Sequence, residues 1–120
     1  MPFSNSHTDL KDRTKQFALA IIELTKNLNQ NLAEREIAKQ LIRSGMSVGA
    51  NTRSAFRGRS SKEYKAKLGI VIEEADESTY WMDLLVASNA SVDPELVERL
   101  QVEANELTSI FSSLVNKNDY

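Results

Sequence analysis

The sequence has no cysteine and a single histidine, His7, among 120 residues. Without thiols there is no disulfide scaffold, thiolate nucleophile or thiolate metal site. With one imidazole, a histidine-based triad or multi-histidine metal site is unavailable within one chain. Glycine (four) and proline (two) are too scarce for the turns of a many-stranded sandwich or barrel. No apolar run approaches the ~20 residues needed to cross a bilayer, and Met1-Pro2-Phe3-Ser4-Asn5 lacks the layout of a signal peptide. The cytoplasm is therefore the expected compartment, with no membrane partner. What remains is ordinary globular composition, 41% hydrophobic and 27% charged, in a length that suits one domain.

The formal net charge of -2 conceals a strong asymmetry. Residues 1–33 carry +1, residues 34–67 carry +6 and residues 68–120 carry -9. A basic middle joined to an acidic end suits either a surface that meets a polyanion or head-to-tail pairing between copies.

Hydrophobic periodicity divides the chain into a flexible leader (1–8), a four-helix region (9–116) and a short tail (117–120). Leu10, Thr14, Phe17, Ile21, Leu24 and Leu28 form one helical stripe, which predicts a first helix over about 9–28. Asn31 with Glu34 can cap a second helix, whose buried side holds Ile37, Leu41, Gly45, Val48, Thr52 and Ala55. Gly58 is the expected left-handed residue that ends it. Ser60-Ser61-Lys62-Glu63 has the form of a capping box and opens a third helix, with Tyr64, Leu68, Val71, Ile72, Ala75, Met82 and Leu85/Val86 inward. Asp93-Pro94 is an N-cap followed by proline at the first helical position, opening a helix with Leu96/Val97, Leu100, Ala104, Leu107, Phe111 and Leu114. No segment alternates, so no strands are expected. Short polar links between the helices predict an all-α, antiparallel, up-down-up-down four-helix bundle.

Three features go beyond what a solitary bundle needs. Two glycines inside the second helix, Gly45 and Gly49, each cost about 1 kcal/mol against alanine, which close approach of a neighbouring helix would offset. Val48 belongs to the same packing surface, and Asn51 reads as a buried polar residue that fixes register. A phosphate loop does not fit, because mid-helix amides are already bonded. Second, Lys39, Arg43, Arg53 and Arg57 share one side of that helix, and Arg59, Lys62, Lys65 and Lys67 extend the charge around the following turn. This is either a solvated face or a stripe that neutralises the phosphates of RNA or DNA. No aromatic residue interleaves the stripe, so neither base stacking nor sequence readout is expected. Third, Ile70, Tyr80, Trp81 and Leu84, with Glu74 and Glu77 among them, form a second side of the third helix opposite its core stripe. A second apolar side points to self-association; the plainer alternative is a groove edge covered by charged stems. The carboxylates Glu73, Glu74, Asp76, Glu77, Glu103 and Glu106 have no histidine to complete a di-metal site. His7 has no assigned role. No constellation supports catalysis, and no metal or cofactor is expected.

The segments Gln40-Leu41-Ile42-Arg43-Ser44-Gly45-Met46-Ser47-Val48-Gly49-Ala50-Asn51, Arg59-Ser60-Ser61-Lys62-Glu63-Tyr64, Glu74-Ala75-Asp76-Glu77 and Tyr80-Trp81-Met82-Asp83-Leu84-Leu85 carry a resemblance. Over roughly residues 9–116 the chain resembles the bacterial four-helix-bundle family whose first members are encoded by intervening sequences within large-subunit ribosomal RNA genes. The accessory variability protein of diversity-generating retroelements is a relative. The resemblance implies a homopentameric ring and, for the retroelement branch, nucleic-acid binding and a reverse transcriptase partner. The family commonly follows Asn51 with an apolar residue, a small residue and Glu; here Thr52, Arg53 and Ser54 stand there. That exchange of an acid for a base makes the stripe more positive. The resulting expectation is a non-enzymatic, homo-oligomeric bundle that binds nucleic acid through its basic surface, or an adaptor ring that binds a protein instead.

Overall fold

The computed structural model describes residues 6–29 and 31–117. Four helices account for most of them: α1 (His7–Thr25), α2 (Leu32–Ala55), α3 (Ser61–Ala87) and α4 (Pro94–Asn116). No strand occurs among the described residues. Helix α1 lies against α2 and α4, and α3 lies against the same two, while the diagonal pairs do not meet. With short connections, that cyclic adjacency is an up-down-up-down bundle. The α1–α4 seam is the slimmest of the four. No helix among the described residues is long and apolar enough to cross a membrane.

The helices start where short polar side chains occupy the free amides of the first turn. Asn31 Oδ1 accepts from the Glu34 amide at 2.8 Å, and Asn31 Nδ2 donates back to Glu34 Oε2 at 2.9 Å. Ser60 Oγ accepts from the Glu63 amide at 3.1 Å, and Glu63 Oε1 reaches back to the Arg59 amide at 3.2 Å. Asp93 caps α4 through the Glu95 amide. These arrangements satisfy donors that a bare helix end leaves unpaired.

Two boundaries differ from the sequence reading. Helix α1 begins at His7, capped by Ser6 Oγ on the Asp9 amide at 3.2 Å, and ends at Thr25. His7 and Thr8 are therefore helical, not leader; residues 1–5 and 118–120 lie outside the described residues. Gly58 does not adopt a left-handed conformation: none of the glycines has positive φ. Its small size matters instead, because a Cβ there would come within 2.9 Å of the Ala55 carbonyl oxygen. The left-handed cap follows α3, at Asn89 (φ 60°). There the Ala90 amide donates to the Leu85 carbonyl and the Asn89 amide to that of Val86, the paired bonds of a Schellman ending.

The core follows the periodicity closely. Leu10, Phe17, Ile21, Leu24 and Leu28 from the first segment meet Leu41, Val48 and Ala55 of α2, with Leu68, Val71, Ala75, Met82 and Leu85 of α3 and Val97 to Phe111 of α4 closing the interior. Val86 is exposed rather than inward.

Candidate functional site

Residues 43 to 45, in the middle of α2, face two neighbouring helices: Arg43 and Ser44 meet α3, and Gly45 meets α1. A Cβ on Gly45 would lie 2.5 Å from Ile21 Cδ1, so any larger residue there requires the Ile21 side chain of α1 to move. One turn on, a Cβ at Gly49 would lie 3.4 Å from the Thr14 carbonyl oxygen. Ser44 Oγ and Ser78 Oγ are 2.8 Å apart across the buried α2–α3 seam. Asn51 does not bridge helices: its Nδ2 donates to the Ser47 carbonyl at 3.1 Å and Ser47 Oγ at 2.7 Å, all within α2. The polar pair that crosses the interior is Ser44–Ser78, not Asn51.

The basic stripe separates into two parts. Arg43 reaches across to α3, where Nη1 donates to Glu74 Oε2 at 3.1 Å and Nη2 to Glu77 Oε1 at 2.6 Å. The Glu74 hydrogen bond, followed by that carboxylate's charge, raises the Arg43 pKa above its already high ordinary value. Lys39 pairs with Glu36 one turn back on its own helix. Thus Glu74 and Glu77, expected beside a subunit contact, are engaged by an arginine of their own chain.

Further along, Arg53, Arg57 and Arg59 line one open cleft with Ala50, Ser54 and Glu63. Arg53 and Ala50 also line a groove between α1 and α2, whose other walls include Lys11, Lys15, Asp12, Ala18, Met46 and Gly49. Absence of a side chain at Gly49 keeps the floor of that groove low. Arg53, Arg57, Arg59, Lys11 and Lys15 make no ion pair among the described residues. Lys62 is exposed, and Lys65 and Lys67 are half-buried along the first turns of α3. The cations of α1 were not among the residues singled out by sequence. Lys11, Lys15 and Ala18 share a helical stripe, but only the packing of α1 on α2 brings them beside Arg53.

The bundle end also carries rings. His7 lies flat on Phe56, with centroids 3.6 Å apart and planes within 1°. Tyr64 stands beside this pair, 6.2 Å from Phe56 and 6.4 Å from His7. Phe56 stands between Arg53 and Arg57 in the chain and Tyr64 between Lys62 and Lys65, which corrects the expectation that no aromatic interleaves the stripe, and His7 adds a ring from the start of α1.

On α3, Trp81 is half-buried against the core, and its Nε1 donates to Glu77 Oε1 at 3.4 Å. The projecting aromatic is Tyr80, 55% exposed and edge-on to Trp81. Tyr80 borders a shallow depression with Asp76, Asp83, Thr79, Gln101 and Asn105. Ile70 is exposed and Leu84 half-buried. Across the α1–α4 seam, Arg13 donates to Glu103 through Nε (3.0 Å) and Nη2 (2.6 Å), and to Glu106 at 3.0 Å. No group of three or more His, Cys, Asp or Glu residues able to hold a metal ion occurs among the described residues.

Fold and surface together define a class: an up-down four-helix bundle with charge segregated between a basic end and an acidic flank. The 23S rRNA-intervening sequence protein family matches residues 7–113, and the chain belongs to that family. A crystal structure of a protein of unknown function from the S23 ribosomal protein family, from Bacteroides thetaiotaomicron, is 32% identical and superposes with a TM-score of 0.83. The match covers 92% of this chain and 98% of that one. No curated protein matches.

Proposed function

We propose that this is a non-enzymatic, self-associating bundle that holds nucleic acid by its phosphates, through the end of α2 and the α2–α3 turn. One observation carries the reading: Arg53, Arg57 and Arg59 line an open cleft that shares Ala50 and Arg53 with the Lys11–Lys15 groove, and none is in an ion pair among the described residues. Guanidinium groups supply forked donors suited to phosphate oxygens, and such contacts release counterions. Glu63 and Asp12 are the acids that border the two depressions, and Glu63 already accepts from the Arg59 amide. The binding surface is therefore narrower than the full stripe, because Lys39 and Arg43 have acidic partners.

The experiment is a salt titration of RNA and duplex DNA binding, run beside analytical ultracentrifugation. Affinity should fall steeply between low and physiological salt. Charge reversal at Arg53 and Arg57 should lower it about 100-fold and flatten the salt slope, with the particle mass unchanged. No binding at low salt would refute the reading. Loss of the oligomer in that variant would assign the arginines to assembly.

A second reading, a ring that serves as a protein adaptor, is favoured by Tyr80. Its exposed ring, flanked by Asp76 and Asp83, is opposite in charge to the α1–α2 groove, as a head-to-tail contact between copies requires. Tyr80→Ala should shift the mass toward monomer, and more than Trp81→Ala does without unfolding the chain.

A further inference from the structure

Both rings of the His7–Phe56 stack are chain neighbours of residues that line the basic depressions, His7 of Thr8 and Phe56 of Arg57. Phe56, the residue that caps the C-terminal end of α2, stands between Arg53 and Arg57 in the chain, and Thr8, next to His7, lines the groove that holds Lys11, Lys15 and Arg53. His7 is exposed, while Phe56 is half-buried and Tyr64 is buried. Tyr64 is nearly equidistant from both rings of the pair, so it stands at their side and does not cover the imidazole. One face of His7 therefore rests on Phe56, and no described ring lies on the other.

Exposed flat rings beside a cationic groove are the ingredients of single-strand recognition: cations track the backbone, and a ring face accepts an unpaired base. We propose that one unpaired base of a single-stranded nucleic acid stacks on the outer face of His7 while Arg53 and Arg57 hold the phosphates that flank it. This inference rests on the phosphate-binding reading above and adds a preference for single strands. A base inside a duplex is already stacked on both faces, so a duplex engages the cations alone. The half-buried Phe56 braces the imidazole from behind, so the platform is formed before the base arrives.

Three probes of the same length separate the contributions: a mixed-sequence single strand, the same strand with abasic residues throughout, and a dumbbell duplex with no free ends. Anisotropy titrations at one low salt concentration should give wild-type affinity about tenfold tighter for the ordinary strand than for the abasic one. His7→Ala should erase that advantage and leave abasic and duplex binding unchanged. His7→Tyr should restore it, and His7→Lys, which supplies charge without a ring, should not. Equal wild-type affinity for ordinary and abasic strands, or an equal loss on all three probes in His7→Ala, would overturn the stack while leaving phosphate binding intact. Failure of all three probes to bind at low salt would overturn both.

Discussion

Two stretches of one helix put the same residue type to opposite uses. In the middle of α2, Arg43 is held between Glu74 and Glu77, Ser44 meets Ser78 and Gly45 gives way to Ile21. Ten residues later, Arg53 and Arg57 line open depressions with no acid in ion-pair reach among the described residues. On a helical projection Arg43 and Arg53 share one side of α2 but stand about 80° apart, Arg43 toward α3 and Arg53 toward α1. The partner across the seam decides between them: the middle of α2 faces the acidic part of α3, and its end faces the basic start of α3 and the cations of α1. Charge in a sequence thus measures what a surface could attract, whereas its availability depends on what the neighbouring helix brings to the same place.

The comparison predicts that substitutions in the middle act on stability and those at the end on binding. The largest stability effect is expected at Gly45→Val. Its side chain would enter space that Ile21 fills, and overpacking of a close helix crossing costs about 1–3 kcal/mol. Replacing glycine with a better helix former offsets less than about 1 kcal/mol of that. Urea unfolding should show the loss, Ile21→Ala should recover part of it, and nucleic-acid affinity should not change. A neutral Gly45→Val would mean that the Ile21 side chain moves aside to make room, so that this contact does not limit how closely α1 and α2 pack.

Next comes a test in the opposite direction. Glu74→Gln with Glu77→Gln removes the charges that hold Arg43, while each amide oxygen can still accept a hydrogen bond. Arg43 then becomes an available cation beside the binding end. Affinity for a polyanion should rise about threefold to tenfold, and the salt dependence should steepen by about one counterion. Unchanged affinity would confine the binding surface to the bundle end.

Much of the fold was legible because it depends on local chemistry. The stripe Leu10–Phe17–Ile21–Leu24, the caps at Asn31, Ser60 and Asp93 and the glycines of α2 all declare themselves within a few positions. The Ser6-x-x-Asp9 cap is equally local, and it would have moved the start of α1 to His7. Gly58 misled because glycine serves two purposes, positive φ and small size, and a sequence does not distinguish them. The site was legible only as a set of cations. Which of them are neutralised depends on the register of α2 against α3, and the His7–Phe56 stack joins residues far apart in the chain. Neither follows from spacing within one helix.

A smaller stability effect belongs to the buried hydroxyl pair. Ser44→Ala leaves Ser78 Oγ with its bond to the Glu74 carbonyl, so the loss should be about 1 kcal/mol. Ser78→Ala should cost a similar amount. The double variant should cost less than the sum of the two, since removing both hydroxyls leaves no desolvated partner behind. Strict additivity in a double-mutant cycle would show that the two oxygens do not interact.

The smallest effect is expected where the charges look most prominent. Arg43 is about half exposed, with 51% of its side-chain surface accessible, so water screens its pairs with Glu74 and Glu77. Arg43→Gln should therefore cost only about 0.2–1 kcal/mol. The sign of its pH dependence follows from the raised pKa of Arg43. A basic group whose pKa is higher in the folded chain contributes fully below its unfolded value and loses that contribution only as pH rises through the folded one. Both lie in strong alkali, so deprotonation of Arg43 cannot change the penalty between neutral pH and about pH 9. Denaturant melts of wild type and Arg43→Gln at those two pH values should give the same difference. A penalty well above 1 kcal/mol would mean that the guanidinium is desolvated in solution, as it would be if the Glu74–Glu77 face were covered by a second copy.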